Sequence, residues 1–288
     1  MHETRAKSIL SPKNGMNIYR GCSHGCIYCD SRSKCYGMEH EFEDIEVKIN
    51  APELLEQAMR KKKNRCMIGT GAMCDPYLHI EEELRLTRRC LEIIDRYGFG
   101  LSILTKSARI LRDLDLLQSI NDKAKCVVQM TLTTHDEQLC RIVEPNVSST
   151  AERVEILNIM RHNQIPTVVW LCPILPFIND TEENLIGILN SCADAGVKGI
   201  LCFGMGMTLR EGDREYYYDA LDRHFPGLKE KYISLYGNSY VLDSPNSAKL
   251  MHIFRSFCRS NGIMYRQSEI FAYLNEFPED VYEQTSLF

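Results

Sequence analysis

Short runs that are almost wholly apolar alternate along most of the chain with longer stretches in which apolar residues recur every three or four positions. The short runs, at 16–19, 66–70, 100–105, 126–133, 166–175 and 197–205, read as strands. The longer ones, at 50–62, 82–97, 110–120, 149–163 and 181–195, read as helices. In the first of these, Leu54, Leu55, Ala58 and Met59 share a face behind Asn50 as cap and Pro52 in the opening turn. Strands with no polar face suit a parallel sheet covered on both sides, with helices as the crossovers. Six such units are fewer than the eight that close a barrel. The pattern predicts an α/β fold, a partial (β/α)6 barrel over residues 16–210 after a polar lead-in at 1–15. Beyond it the alternation loosens, and helices near 213–225 and 246–261 predict a helical cover over 211–280, then an exposed tail at 281–288.

At 288 residues and 44% hydrophobic, the chain has apolar material for one sizeable core. Its net charge of −5 excludes a global basic field and leaves only a local basic groove for a nucleic-acid partner. The 13 cysteines are odd in number and mostly set in apolar runs such as Cys126-Val127-Val128 and Leu201-Cys202-Phe203, so they read as reduced thiols. The first residues form no apolar leader, and no run approaches the ~18 apolar residues that span a bilayer. A cytoplasmic protein without membrane attachment is the expectation.

One stretch carries distinct chemistry. Gly21-Cys22-Ser23-His24-Gly25-Cys26-Ile27-Tyr28-Cys29 places three thiols within eight residues, directly after the first strand. A structural zinc site closes with four ligands, whereas an iron–sulfur cluster with one unclaimed iron needs only three cysteines. The C-x-x-x-C-x-x-C spacing resembles the radical S-adenosylmethionine (SAM) superfamily, whose three-cysteine loop holds a 4Fe-4S cluster and leaves the fourth iron for SAM. That likeness implies Cys22, Cys26 and Cys29 as metal ligands, Tyr28 beside the adenine, and an external one-electron donor. It also implies the superfamily's partial TIM barrel, in agreement with the six units counted above. A zinc-bound or purely structural loop is the competing reading of the thiols.

Sites in barrels of this kind lie at the C-terminal ends of the strands. Gly69-Thr70-Gly71 ends the second strand and lets backbone approach a ligand closely. Lys106 ends the third, where an ammonium can meet a carboxylate, and Thr131 and Thr133 are spaced to share one side of the fourth. Within the superfamily the chain resembles the spore photoproduct lyase-like, or DNA repair photolyase-like, branch. The likeness rests on the cysteine loop, Cys74-Asp75-Pro76-Tyr77, Leu104-Thr105-Lys106, Thr131-Leu132-Thr133-Thr134, Val143-Glu144-Pro145-Asn146 and Cys172-Pro173-Ile174, and spans roughly residues 16 to 195. It implies that Lys106, Thr131 and Thr133 contact SAM, that Glu144 belongs to the cofactor site and that Cys172 lies near the adenosine. One departure stands out: the lyase's hydrogen-returning cysteine, after strand two, is replaced here by Ala72. Cys74 is the displaced candidate for that role.

Two weaker signals complete the picture. Tyr216-Tyr217-Tyr218, behind Arg210 and Arg214, has the composition of a base-stacking platform, with Tyr218 as candidate. Gln284-Thr285-Ser286-Leu287-Phe288 resembles the peptide by which bacterial repair proteins dock on the sliding clamp, with Gln284, Leu287 and Phe288 as anchors. The resemblance implies a radical SAM enzyme that cleaves SAM to a 5′-deoxyadenosyl radical for hydrogen abstraction, in DNA repair or nucleic-acid modification. The alternatives are a peptide, RNA or small-molecule substrate, or a non-catalytic, metal-stabilised clamp-binding module.

Overall fold

The computed structural model describes residues 1–278. The clamp-like peptide at 284–288 lies outside the described residues. Six parallel strands form the central sheet: β1 (Gly15–Met16), β2 (Met67–Thr70), β3 (Gly100–Thr105), β4 (Cys126–Thr131), β5 (Thr167–Trp170) and β6 (Gly199–Leu201). They lie side by side in chain order, and among the described residues no pairing joins β6 back to β1, so the sheet is an open partial barrel. Every residue of β3 and β4 is buried, as strands covered on both faces require.

The crossover helices follow from local chemistry. Ser149 and Glu152 form a reciprocal capping box that opens the helix Thr150–His162, and Thr181 accepts from the Asn184 amide to start Glu182–Asp194. Leu86–Tyr97 closes on Gly98 with φ +67°, the left-handed residue at which helices commonly stop. The largest apolar cluster joins these helices to the strands through side chains such as Leu55, Leu91, Ile94, Leu101, Val128 and Leu157.

Several predicted strands are shorter than their apolar runs. Residues 16–19 divide between two sheets: Met16 belongs to β1, while Tyr19–Arg20 pairs antiparallel with Glu46–Lys48. That small sheet takes in His2–Thr4 from the lead-in as a parallel neighbour. Thr133 lies two residues past the end of β4 and does not share a strand face with Thr131. The β5 run stops at Trp170, before Pro173 and Pro176, neither of which can donate to a ladder. The β6 run stops at Leu201; after Gly204, at φ +141°, Gly206–Thr208 pairs instead with Val241–Asp243. The region after β6 therefore holds an antiparallel strand pair, its two strands separated by the helices Asp213–His224 and Leu228–Tyr236 and followed by Ser247–Ser260 and Gln267–Asn275.

Gly71, just beyond β2, has φ +100°, and a Cβ there would collide with the Leu104 carbonyl of β3. Gly262 also has positive φ, +66°, but faces open space. Gly262→Ala should cost only the backbone strain, about 1 kcal/mol. Gly71→Ala must also push two strands apart, and we expect it to lower thermal stability by at least about 2 kcal/mol more. Equal losses in parallel thermal melts would show that the close approach of Gly71 to β3 is not what matters.

Candidate active site

The loop carrying Cys22, Cys26 and Cys29 runs over the C-terminal mouth of the sheet and is held there by three neighbours. The Cys22 amide donates to the Phe42 carbonyl at 2.9 Å. From the segment Val143–Asn146, the Val143 carbonyl accepts from the Ile27 amide at 3.0 Å and Asn146 Nδ2 donates to the Ser23 carbonyl at 2.9 Å. Gly25, at φ +70°, lets Pro145 lie against the loop, since a Cβ there would meet Pro145 Cγ at 3.1 Å.

The third tether is Asp75, which accepts from the Tyr77 amide at 2.8 Å, from Thr105 Oγ1 at 2.7 Å and from the Lys106 amide at 2.8 Å. Its Oδ2 also stands 3.0 Å from His24 Nε2, and both side chains are buried. Burial alone would raise the Asp75 pKa, but the His24 charge and these donors outweigh it and hold the carboxyl at about 2. Burial opposes charge on His24 too, yet Asp75 raises it above its ordinary value. A buried carboxylate in contact with an imidazole thus joins the cysteine loop, the loop after β2 and the end of β3. The sequence marks Asp75 as part of a motif without a role; only the fold shows what it ties.

The three sulfurs face a chamber of about 150 Å³ whose walls include His24, Tyr28, Gly71, Ala72, Lys106, Thr131, Trp170 and Cys172. Three sulfurs on one loop leave a fourth position open, as a cluster with one unclaimed iron requires. Burial pushes the Cys26 and Cys29 thiols up, whereas the adjacent Cys74 thiol, against burial, brings Cys22 down to about 6. Bound cationic iron would supply the charge that deprotonates the other two.

Beside this chamber lies a larger one of about 570 Å³, and the two share Tyr28, Cys29, Ser31, Ala72, Met73, Lys106, Trp170 and Cys172 as common walls. The Lys106 ammonium makes no ion pair among the described residues and sits 5.9 Å from the Tyr28 ring centre. Burial would lower its pKa, but Cys26, Glu144, Cys29 and Asp75 together raise it, so it is a retained cation between the chambers. Trp170, the chain's single tryptophan, is fixed by Nε1–H donation to Gln129 Oε1 at 2.7 Å, and Gln129 donates in turn to Ser102 at 2.8 Å. Its role as a shared wall was not read from the sequence, where one aromatic in an apolar run has no distinguishing signal.

Other predicted residues sit elsewhere. Gly69 and Thr70 line a separate cavity of about 230 Å³ inside the barrel, while Gly71 reaches the cysteine chamber. Thr133 is fully buried with Oγ1 unpartnered, and its carbonyl accepts from Asn179 at 2.7 Å. Glu144 lines neither chamber: its carboxylate is buried between the Tyr28 hydroxyl and the fully buried Arg153, whose Nη2 lies 2.6 Å from Oε2. It braces Tyr28 from behind. Cys74 donates to the Gly21 carbonyl at 2.8 Å and lines the cysteine chamber but not the larger one. Tyr218 packs with the cover helices against Arg214 and lines neither chamber; Tyr36, Phe203 and Tyr240 supply the aromatic walls of the larger one.

Comparison with known proteins agrees with this geometry. The Radical SAM superfamily model matches residues 16–189, and the chain belongs to that superfamily. A 4Fe-4S cluster and SAM, the cofactors of this family, are therefore its cofactors. An uncharacterized protein of Mycobacterium tuberculosis is 29% identical over 255 residues, covering 82% of this chain and 73% of the relative. One from Methanocaldococcus jannaschii is 32% identical over 188 residues, covering 62% of this chain and 69% of the relative. Among solved structures, spore photoproduct lyase complexed with dinucleoside spore photoproduct superposes with a TM-score of 0.66 at 15% identity, covering 91% of this chain and 80% of that one. That likeness is one of fold. No helix among the described residues is long and apolar enough to cross a membrane.

Two outcomes follow. Asp75→Asn should leave the far-ultraviolet circular dichroism unchanged but reduce the iron retained per chain after anaerobic reconstitution, measured against protein concentration. Removing either partner of the Glu144–Arg153 pair should cost about 3–5 kcal/mol in denaturant unfolding, because the other charge is left buried. The double variant Glu144→Gln, Arg153→Met should lose clearly less than the sum of the single losses.

Proposed function

We propose that this chain is a radical SAM enzyme that abstracts hydrogen from a substrate held in the 570 Å³ chamber, with a nucleic-acid base as the substrate class. The observation that carries the reading is the shared wall between the two chambers: Tyr28, Lys106, Trp170 and Cys172 border both, and Cys29 of the cysteine trio reaches the substrate-sized space as well. Cys22, Cys26 and Cys29 would hold the cluster, with Tyr28, Gly71, Lys106, Thr131 and Cys172 disposed around SAM. When bound, these groups supply one-electron cleavage of the SAM sulfonium and the hydrogen abstraction that follows from it.

The chain's own residues do the positioning. Lys106 presents an ammonium to a carboxylate. Tyr28, pinned by Glu144, offers its ring face to a planar group. Trp170 and Phe203, with ring centres 5.8 Å apart, form an aromatic corner of the substrate side. The nucleic-acid reading is supported by the overall likeness to spore photoproduct lyase and by aromatic walls on which a flipped base can stack. A cationic small molecule or peptide is the second reading, favoured by Asp30 and Asp243 in the chamber wall and the net charge of −5.

Anaerobically reconstituted protein should be brown and should cleave SAM under dithionite, and Cys22→Ala should lose both properties. Colourless protein, or coloured protein that leaves SAM intact, removes the enzymatic reading. Lys106→Met should keep its iron but bind SAM at least about tenfold more weakly by equilibrium dialysis, the loss of one charge-assisted contact. For substrate class, a gel shift with damaged and intact duplex should appear at low salt and vanish as salt rises. No shift at low salt would favour the second reading.

A further inference from the structure

Away from both chambers, we infer that His2, His40 and Asp44 form a binding site for a borderline divalent cation such as Zn²⁺, whose occupancy braces the cysteine loop from outside. One donor atom from each of the three lies within 4.8 Å of the others. Two imidazoles and a carboxylate are the donor set zinc takes, with further positions left to water. The small sheet fixes the first of them: His2 pairs with Glu46 across the parallel ladder, and its amide donates to the Ile45 carbonyl at 3.0 Å. His2 Nδ1 stands 2.9 Å from Asp44 Oδ2, and the His2 and His40 rings meet edge to face with centres 4.7 Å apart.

His40 carries the independent observation. Its Nδ1–H donates to the Glu41 carbonyl at 2.9 Å, which leaves the lone pair on Nε2. Nε2 is buried and has no hydrogen-bond partner, and Glu46 Oε2, another acceptor, stands 3.7 Å away. The His40 lone pair, the His2 imidazole and the Asp44 carboxylate converge on one space, where the Met1 ammonium also stands 2.8 Å from Asp44 Oδ1, so a divalent cation would bind there in competition with that ammonium. Donation of the far ring N–H to a backbone carbonyl is the arrangement that orients metal-binding histidines.

The location gives the site a consequence. Phe42 lies between His40 and Asp44 in sequence, and its carbonyl receives the Cys22 amide. Its ring lies under the Arg32 guanidinium at 4.4 Å. A cation that fixes both ends of the segment 40–44 fixes that carbonyl, and so the first cysteine of the loop.

The test uses untagged, cluster-loaded protein, in which the loop thiolates are already occupied. Equilibrium dialysis against zinc chloride, with metal counted by mass spectrometry, should find one zinc per chain beyond the iron. His40→Ala should weaken that site more than about 100-fold, because even indirect partners of a ligand are worth ~10–100-fold. Asp44→Asn should weaken it as well. Both variants should keep wild-type circular dichroism, and zinc should slow the loss of cluster colour to a chelator in wild type but not in His40→Ala. The inference fails if zinc uptake is equal in wild type and His40→Ala, or if wild type takes none below millimolar zinc. The latter result would mean that a proton on His40 facing Glu46 is the cation the space holds.

Discussion

The Asp75 carboxylate is the point on which the site's geometry depends. A chain that must hold three cysteines on a loop, away from regular structure, needs something to fix that loop before any metal arrives. Here one buried carboxylate accepts from the β2 loop, from Thr105 and the Lys106 amide at the end of β3, and meets His24 in the middle of the cysteine motif. Placing such a charge in the core is unfavourable unless every lone pair has a partner. Four partners drawn from three segments meet that condition and, in doing so, specify how the segments sit.

A second buried pair repeats the device on the other side. Glu144 and Arg153, both fully buried, hold the Tyr28 ring upright between the two chambers. Lys106 stands in the remaining gap as a cation with no ion pair among the described residues. Tyr28 and Lys106 stand with Trp170 and Cys172 in the partition that both chambers share, which the ligand Cys29 also borders, and aromatic lining lies beyond it. The superfamily's chemistry requires such a partition, because a reactive intermediate must meet substrate before it meets water. The N-terminal sheet, with its histidine–aspartate group, extends the same principle outward: the carbonyl that receives Cys22 is itself held between two candidate ligands.

Much of the fold was legible in the residues. All-apolar runs separated by capped amphipathic stretches leave few options besides a parallel sheet with helical crossovers, and all six strands are found in order. The cysteine spacing is local chemistry and needs no tertiary contact to be read. Strand ends were less legible, since apolar composition continues past the last ladder hydrogen bond. The apolar runs through Thr133, Leu175 and Met205 each extend past the strand that forms, which ends at Thr131, Trp170 and Leu201.

What the sequence determined by itself, then, was the class of fold and the three-thiol motif, because both rest on periodicity and spacing within a few residues. What only the tertiary structure decided was which side chains meet. Glu144 turned inward to Arg153 because a carboxylate beside a buried guanidinium has no better place. Cys74 settled against the Gly21 carbonyl, while Tyr218 joined the cover. Trp170 became the partition through a hydrogen bond to Gln129, a residue 41 positions away. The Trp170 contact depends on the register of strands distant in sequence, and no local pattern encodes that register.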